Sequence, residues 1–405
     1  MPGARRWSIV AALFVVTFCI ATPLAAYGVF LPVLAEAFGW SRGAISAALS
    51  LNLIVGGLAG FGIGALADRH GPRVMLTVTV AMAGAGFACV AAADALWQLY
   101  VFVGVLGGIG MAGFYLLSTA TVSRWFDDRR GLALALVLVG FNLGYITAGP
   151  LSAWLIASVG WRWAYGLIGS GSGVVAALAA LTVRLPRGTE SPRVVVATGA
   201  VGARLQPGRS ATLREALVDP RHWCLNASWL LLGGLALMVS VHAVPFARDR
   251  GVSLAGASLA LTAYGIGAVT GRLTSGVVSD RLGTRATIRV AFVIEMLALL
   301  GFVWVPSPVA MLVSMAVFGA GFAASDTMIV KVIPEVFGLR ALGAIMGVLT
   351  LGWRFGAAVG PAAAGFLYDL TGAYTLIFGA APLAVLASWV LFALGTRRSG
   401  ETKTG

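Results

Sequence analysis

Residues 259–285 read Leu259-Ala-Leu-Thr-Ala-Tyr-Gly-Ile-Gly-Ala-Val-Thr-Gly-Arg272-Leu-Thr-Ser-Gly276-Val-Val-Ser-Asp280-Arg281-Leu-Gly283-Thr-Arg285. About twenty residues pass with one charge among them, Arg272, which is the length and character of a helix that crosses a bilayer. A guanidinium at that depth costs roughly 2.5–3.5 kcal/mol on insertion scales, so it persists where it faces a cavity or a partner. The stretch then closes on a polar phrase, Gly276-x-x-x-Asp280-Arg281-x-Gly283-x-Arg285.

The rest of the chain has the same character. It is 405 residues long, 59% hydrophobic and only 11% charged, with a mean hydropathy of +0.93. Soluble domains carry about 25% charged residues, so this composition predicts an all-α polytopic membrane protein. Twelve apolar runs are expected to span the bilayer: approximately 8–35, 43–66, 74–95, 98–122, 131–156, 162–184, 223–245, 255–279, 286–306, 308–332, 341–367 and 374–395. The N-terminal run follows Arg5-Arg6 like a signal peptide, but it continues to about Leu34. That is too long for a signal h-region, so an uncleaved first helix is expected. The alternation of a β-barrel is absent.

The net charge of +13 does not indicate a nucleic-acid partner, because the basic residues sit in short loops between apolar runs. With the N-terminus in the cytoplasm, 22 of the 28 basic residues fall on the cytoplasmic side. Four fall outside (Arg42, Arg162, Arg248 and Arg250), and Arg272 and Arg354 lie within spans. The positive-inside rule then predicts both termini in the cytoplasm, in a bacterial inner membrane. Residues 186–220 form the one long polar connection and are expected to be a partly disordered cytoplasmic linker. It would divide an N-terminal six-helix bundle (1–185) from a C-terminal one (221–396), with a tail at 397–405. Cys19, Cys89 and Cys224 and three scattered histidines offer neither a disulfide framework nor a metal site. No catalytic constellation, cofactor or nucleotide motif is expected, so the chain is not expected to be an enzyme or to be driven by ATP. A monomer is expected.

The two halves repeat. Gly64-x-x-x-Asp68-Arg69-x-Gly71-x-Arg73 matches Gly276-x-x-x-Asp280-Arg281-x-Gly283-x-Arg285 at an offset of 212. Gly149-Pro150 matches Gly360-Pro361, and Phe126 matches Phe337, at an offset of 211. The glycines permit close helix approach. The charges at Asp68, Arg69, Arg73, Asp280, Arg281 and Arg285 suit a cytoplasmic gate, or a simple topological anchor.

The repeated phrase resembles the signature of the major facilitator superfamily, which implies two parallel six-helix bundles working by alternating access. A narrower set of phrases is similar to the monocarboxylate transporter and oxalate–formate antiporter branch: Tyr27-Gly-Val-Phe30, Phe38-Gly-Trp-Ser-Arg42, Arg124-Trp-Phe, Arg129-Arg-Gly131, Gly160-Trp-Arg162 and Val244-Pro-Phe-Ala-Arg248. The resemblance implies that spans 1, 4, 7 and 10 line the cavity, that Arg272 holds a substrate carboxylate, and that His242 and Tyr115 face it. There are two departures. Ala268 stands where proton-coupled animal members have an Asp, one turn before the arginine. Span 11 carries Arg354, where a simple monocarboxylate carrier would be neutral.

The remaining candidates follow from charge at depth. A guanidinium fork holds a carboxylate in bidentate fashion, so Arg272 and Arg354 together suit an anion; either could instead be tied up by Asp326. An acid beside an arginine can exchange its salt bridge for a proton, which makes Asp326 the first proton-coupling candidate, with His242 and Glu295 as others. Asn142, Tyr27 and Phe114 are candidate cavity contacts. The expected substrate is a small carboxylate of the lactate or pyruvate kind, moved with a proton or against a counter-anion. The alternatives are an oxalate or dicarboxylate–formate antiporter and a drug efflux carrier.

Overall fold

The computed structural model describes residues 2–126, 129–185, 211–304, 307–338 and 340–397. Most of the expected linker (186–210) and of the tail (398–405) lie outside the described residues. Twelve helices are long and apolar enough to cross a membrane. They are α1 (Pro2–Phe38), α2 (Arg42–His70), α3 (Pro72–Cys89), α4 (Leu96–Trp125), α5 (Arg130–Val159) and α6 (Trp161–Thr182) in the first half. The second half has α7 (Pro220–Asp249), α8 (Leu254–Leu282), α9 (Thr284–Trp304), α10 (Pro308–Phe337), α11 (Leu342–Thr371) and α12 (Thr375–Gly395). A short helix, Leu213–Val218, precedes α7; Thr212 caps it, and Glu215 bonds back to the Thr212 backbone. The last part of the expected linker is therefore ordered.

The halves are built alike. α1 packs on α5 as α7 packs on α11, and α3 packs on α6 while α7 also packs on α12. Between the halves, α2 lies against α11, α5 against α8, and α1 against α7. Small residues set these distances. A Cβ at Gly267 or Gly271 would run into the carbonyl oxygens of Ala316 or Ala320 on α10, so α8 and α10 touch backbone to backbone, as small residues allow in membranes.

Irregular backbone is tolerated at depth only where its polar groups find partners. α4 contains a π-helical stretch, Tyr100–Gly107. There Asn52 of α2 donates its amide to the Val103 carbonyl at 2.7 Å. Pro150 inside α5 has no N–H to give to the Ile146 carbonyl one turn earlier. Thr262 of α8, in the other half, supplies the missing donor at 2.7 Å. Around Pro361 of α11, the Ala358 carbonyl takes the Ser50 hydroxyl of α2. The Pro361 carbonyl takes His242 Nε2 at 2.9 Å. The repeated Gly-Pro phrases thus sit at the seams where the halves meet.

Candidate functional site

The termini of α1 and α12 define one face of the bundle. Four helices bring polar side chains to a common level, about 5–8 Å from their midpoints toward that terminal face at helical rise. They are Tyr115 on α4, Trp229 on α7, Arg272 on α8 and Asp326 on α10. Arg354 of α11 lies about 4 Å from its own midpoint on the same side.

Arg272 and Asp326 form the centre. The Arg272 Nη2 donates to Asp326 Oδ2 at 3.3 Å. The side chains are 35% and 16% exposed, so the pair is partly open. Arg272 Nε is buried and has no partner, so the fork is only half used. The other oxygen, Asp326 Oδ1, accepts the indole N–H of Trp229 at 2.9 Å. The register follows from the helix contact already described, since Gly271 seats α8 on the α10 backbone at Ala320 and turns the next residue toward the acid. Tyr115 reaches across from the first half, within electrostatic range of both Arg272 and Asp326. It is half-exposed in the space between the halves.

Arg354 is differently placed. Its guanidinium approaches the backbone of Gly56 and its methylene arm that of Gly57, both on α2. Among the described residues it has no ion pair and no hydrogen bond. Asp326 is therefore committed to Arg272, and Arg354 remains a cation at depth with no acid of its own.

A run of rings crosses between the halves one to two turns beyond the pair. Phe114 stacks on Phe141 (5.8 Å), Phe141 contacts Tyr145 (5.5 Å), Tyr145 meets Tyr264 of α8 (5.7 Å), and Tyr264 meets Phe322 of α10 (6.4 Å). Phe114 thus belongs to the wall of the space. Asn142 is largely buried at the α5–α8 seam, with its amide on the Leu138 carbonyl at 3.4 Å and its backbone beside Gly265.

Other candidates lie elsewhere. Tyr27 is fully buried, its hydroxyl on the Ile45 carbonyl at 2.5 Å, so it ties α1 to α2. His242 is also fully buried. Its Nε2 donates to the Pro361 carbonyl, which leaves Nδ1 to accept from the Tyr374 hydroxyl at 2.8 Å. Ser46 of α2 is 3.4 Å from the same ring. Glu295 is fully buried behind α10, with Oε1 on the Ser325 hydroxyl at 2.6 Å and Oε2 unpartnered. It adjoins Asp326 through the chain rather than through the cavity.

On the face opposite the termini the halves are clamped. Arg42, at the start of α2, forms a bidentate pair with Asp249 at the end of α7, at 2.7 and 2.8 Å. The backbone N–H groups of Arg42 and Gly43 donate to Asp369 of α11 at 3.0 and 2.8 Å. A carboxylate of one half thereby caps the positive end of a helix in the other. Arg42 also lies 4.0 Å over the Tyr368 ring, and Arg248 meets Glu36 at 3.6 Å. In the sequence Arg42 appears as one of four outer-side charges and as the end of the phrase Phe38-Gly-Trp-Ser-Arg42, neither of which reveals these partners.

The repeated motif, at the terminal face, makes no such crossing among the described residues. Asp280 pairs with Lys331 of its own half at 3.1 Å. Asp68 lines a small pocket with Pro72, Leu117 and Arg124, and Arg69, Arg73, Arg281 and Arg285 are exposed. A Cβ at Gly64 would touch Leu116 at 3.4 Å, whereas one at Gly276 would meet nothing within 4 Å. A side chain at Gly64 would make only ordinary contact and one at Gly276 none, so neither glycine is required here by a backbone approach.

The family profile of the Major Facilitator Superfamily matches residues 13–253 and 231–405. The chain belongs to the major facilitator superfamily. Among curated relatives, human monocarboxylate transporter 11 is 29% identical over 390 residues, covering 93% of this chain and 80% of the relative. The MFS-type transporter YhjX of Escherichia coli is 26% identical, over 80% and 82% of the two chains. The oxalate:formate antiporter of Oxalobacter formigenes is 26% identical over 64% of this chain and 60% of its own. A solved bacterial homolog of the human lysosomal transporter Spinster, inward-facing and unoccupied, superposes with a TM-score of 0.73 at 17% identity, over 96% and 95% of the chains. The major facilitator fold places Arg272, Asp326, Trp229 and Tyr115 together at the junction of its two bundles. Ala268, where the resemblance led to an acid, is buried against the α10 backbone at Gly319. The acid beside Arg272 comes instead from α10.

Proposed function

We propose that this chain is a secondary transporter of small organic anions, with a monocarboxylate of the lactate or pyruvate size as substrate and a proton as its companion. The observation that carries the reading is the Arg272–Asp326 pair, partly open to the central space, with Arg272 Nε unbonded. A substrate carboxylate entering this space offers Arg272 two oxygens in place of one. Asp326, left without its cation, becomes the better place for a proton. The pair thus exchanges an internal negative charge for a carried one plus a proton, and the net charge of the site does not change. Tyr115 closes the site from the other half, and the ring run from Phe114 to Phe322 forms its apolar roof.

In this reading the terminal face is cytoplasmic, in a bacterial inner membrane. The Arg42–Asp249–Asp369 clamp holds the outer face shut. The charges from Gly64 to Arg73 and from Gly276 to Arg285 form the opposite gate, which closes when the clamp releases. Curated relatives named for their substrates include monocarboxylate transporters and an oxalate:formate antiporter, all of them named for carboxylates. The test is uptake of radiolabelled lactate, pyruvate and oxalate into proteoliposomes holding the purified chain. Uptake of lactate or pyruvate that rises with an imposed inward proton gradient supports the reading, and transport of cations alone refutes it.

A second reading rests on Arg354. With no acid of its own, it gives the cavity a net positive charge, which suits a dicarboxylate exchanged for a second anion. Preference for oxalate over lactate, with uptake dependent on anion loaded inside and indifferent to pH, would favour it.

A further inference from the structure

The indole of Trp229 meets Asp326 in a way that decides where a proton can go. Trp229 is buried on α7, and its Nε1–H is a donor only. It lies 2.9 Å from Asp326 Oδ1, while Arg272 holds Oδ2 at 3.3 Å. A buried tryptophan needs a partner for its N–H, but a backbone carbonyl would serve that need. Here the partner is the one carboxylate that pairs with the cavity arginine.

We propose that Trp229 is a positioning residue for proton coupling: by donating to Oδ1 it holds the carboxylate with Oδ2 toward Arg272, so that Oδ2, which Arg272 covers until a substrate carboxylate draws the guanidinium away, is the oxygen that takes the proton. This rests on the reading of Asp326 as the coupling acid. The step balances. One proton from the aqueous side forms an O–H bond at Oδ2, one guanidinium–carboxylate contact breaks, and another forms with substrate. Before substrate arrives Arg272 covers Oδ2, and the indole N–H makes Oδ1 the poorer base of the two. The other titratable groups facing Asp326 are Tyr115 from α4, Tyr264 from α8 and Glu295 from α9. None of them is hydrogen-bonded to either Asp326 oxygen; those are held by Trp229 and Arg272.

The test is the pH profile of radiolabelled lactate uptake in proteoliposomes. Removing the indole leaves Oδ1 open as well as Oδ2. W229F and W229L should each move the inflection of uptake upward by about one to two pH units. W229Q, which restores an N–H donor, should bring it back toward wild type. D326N should flatten the profile. A wild-type profile in W229F or W229L at reduced rate overturns the proposal. So does failure of both variants to insert while W229Q transports, because the N–H then serves packing. A D326N profile like that of wild type sinks the reading of Asp326 itself, whatever Trp229 does.

Discussion

Replacing Arg272 by Gln removes the cation from the central pair while keeping a side chain of similar reach. The consequence for binding can be sized from the geometry. Breaking a buried pair by removing one partner costs about 3–5 kcal/mol, and a fully exposed pair is worth about 0–1 kcal/mol. Arg272 and Asp326 are 35% and 16% exposed, between those limits and nearer the buried one. A loss of about 2–3 kcal/mol of carboxylate binding follows, or roughly a 30- to 160-fold rise in KM for uptake. R272K should fall between, because an ammonium keeps the charge but loses the planar fork. The assay is initial-rate uptake of radiolabelled lactate across a concentration series, with reconstituted protein quantified in each preparation. R272Q also strands Asp326, so R272Q/D326N serves as the control: it should insert normally and still fail to concentrate substrate. A wild-type KM in R272Q would refute the assignment of Arg272 as the carboxylate holder.

Three further outcomes follow from the same contacts. R42Q or D249N should loosen the clamp opposite the termini by about 1–3 kcal/mol; a single cysteine introduced below the clamp should then label about 5- to 150-fold faster from that side. T262V leaves the Ile146 carbonyl beside Pro150 without its donor and should cost about 0.6–1.7 kcal/mol, read as a lower unfolding midpoint in detergent with transport retained. G271V drives a branched side chain into the Ala320 carbonyl and should separate α8 from α10, so that the protein is recovered poorly and its unfolding midpoint drops by several degrees.

Much of this arrangement was legible in the residues, and the reason differs from case to case. Arg272 stands out because a lone guanidinium in an apolar run has no cheap explanation. The repeat is visible because charges and glycines recur at fixed offsets. Asp326 could be matched to Arg272 by depth alone, since helical rise converts residue number into height. Which of two arginines it would choose could not be read that way, because depth says nothing about the azimuth of a side chain around its helix. That azimuth is set by the backbone contact at Gly271 and Ala320, a long-range packing event.

Trp229 gave no signal, being one of 12 tryptophans in a chain where aromatic rings are ordinary. The Arg42 clamp was hidden for a related reason. Its partners lie 207 and 327 residues away, and charges at loop ends are expected from topology whether or not they meet. His242 shows the limit of resemblance. Its position on α7 is suggestive, but its ring is enclosed by Ser46, Pro361 and Tyr374 in the seam of the clamp, where it braces α7 against α2 and α11. Gly276 shows a limit of the repeat, since an identical residue in the second half faces open space where Gly64 meets Leu116.

In the proposed cycle a carboxylate displaces Asp326 from Arg272 and a proton takes the vacated place. Parallel recording of radiolabelled lactate uptake and proton flux in the same proteoliposomes is the decisive test. Wild-type uptake should be accompanied by alkalinisation of the external medium, and D326N should abolish this proton signal. Lactate uptake with no proton movement in wild type, or an undiminished proton signal in D326N, would contradict it.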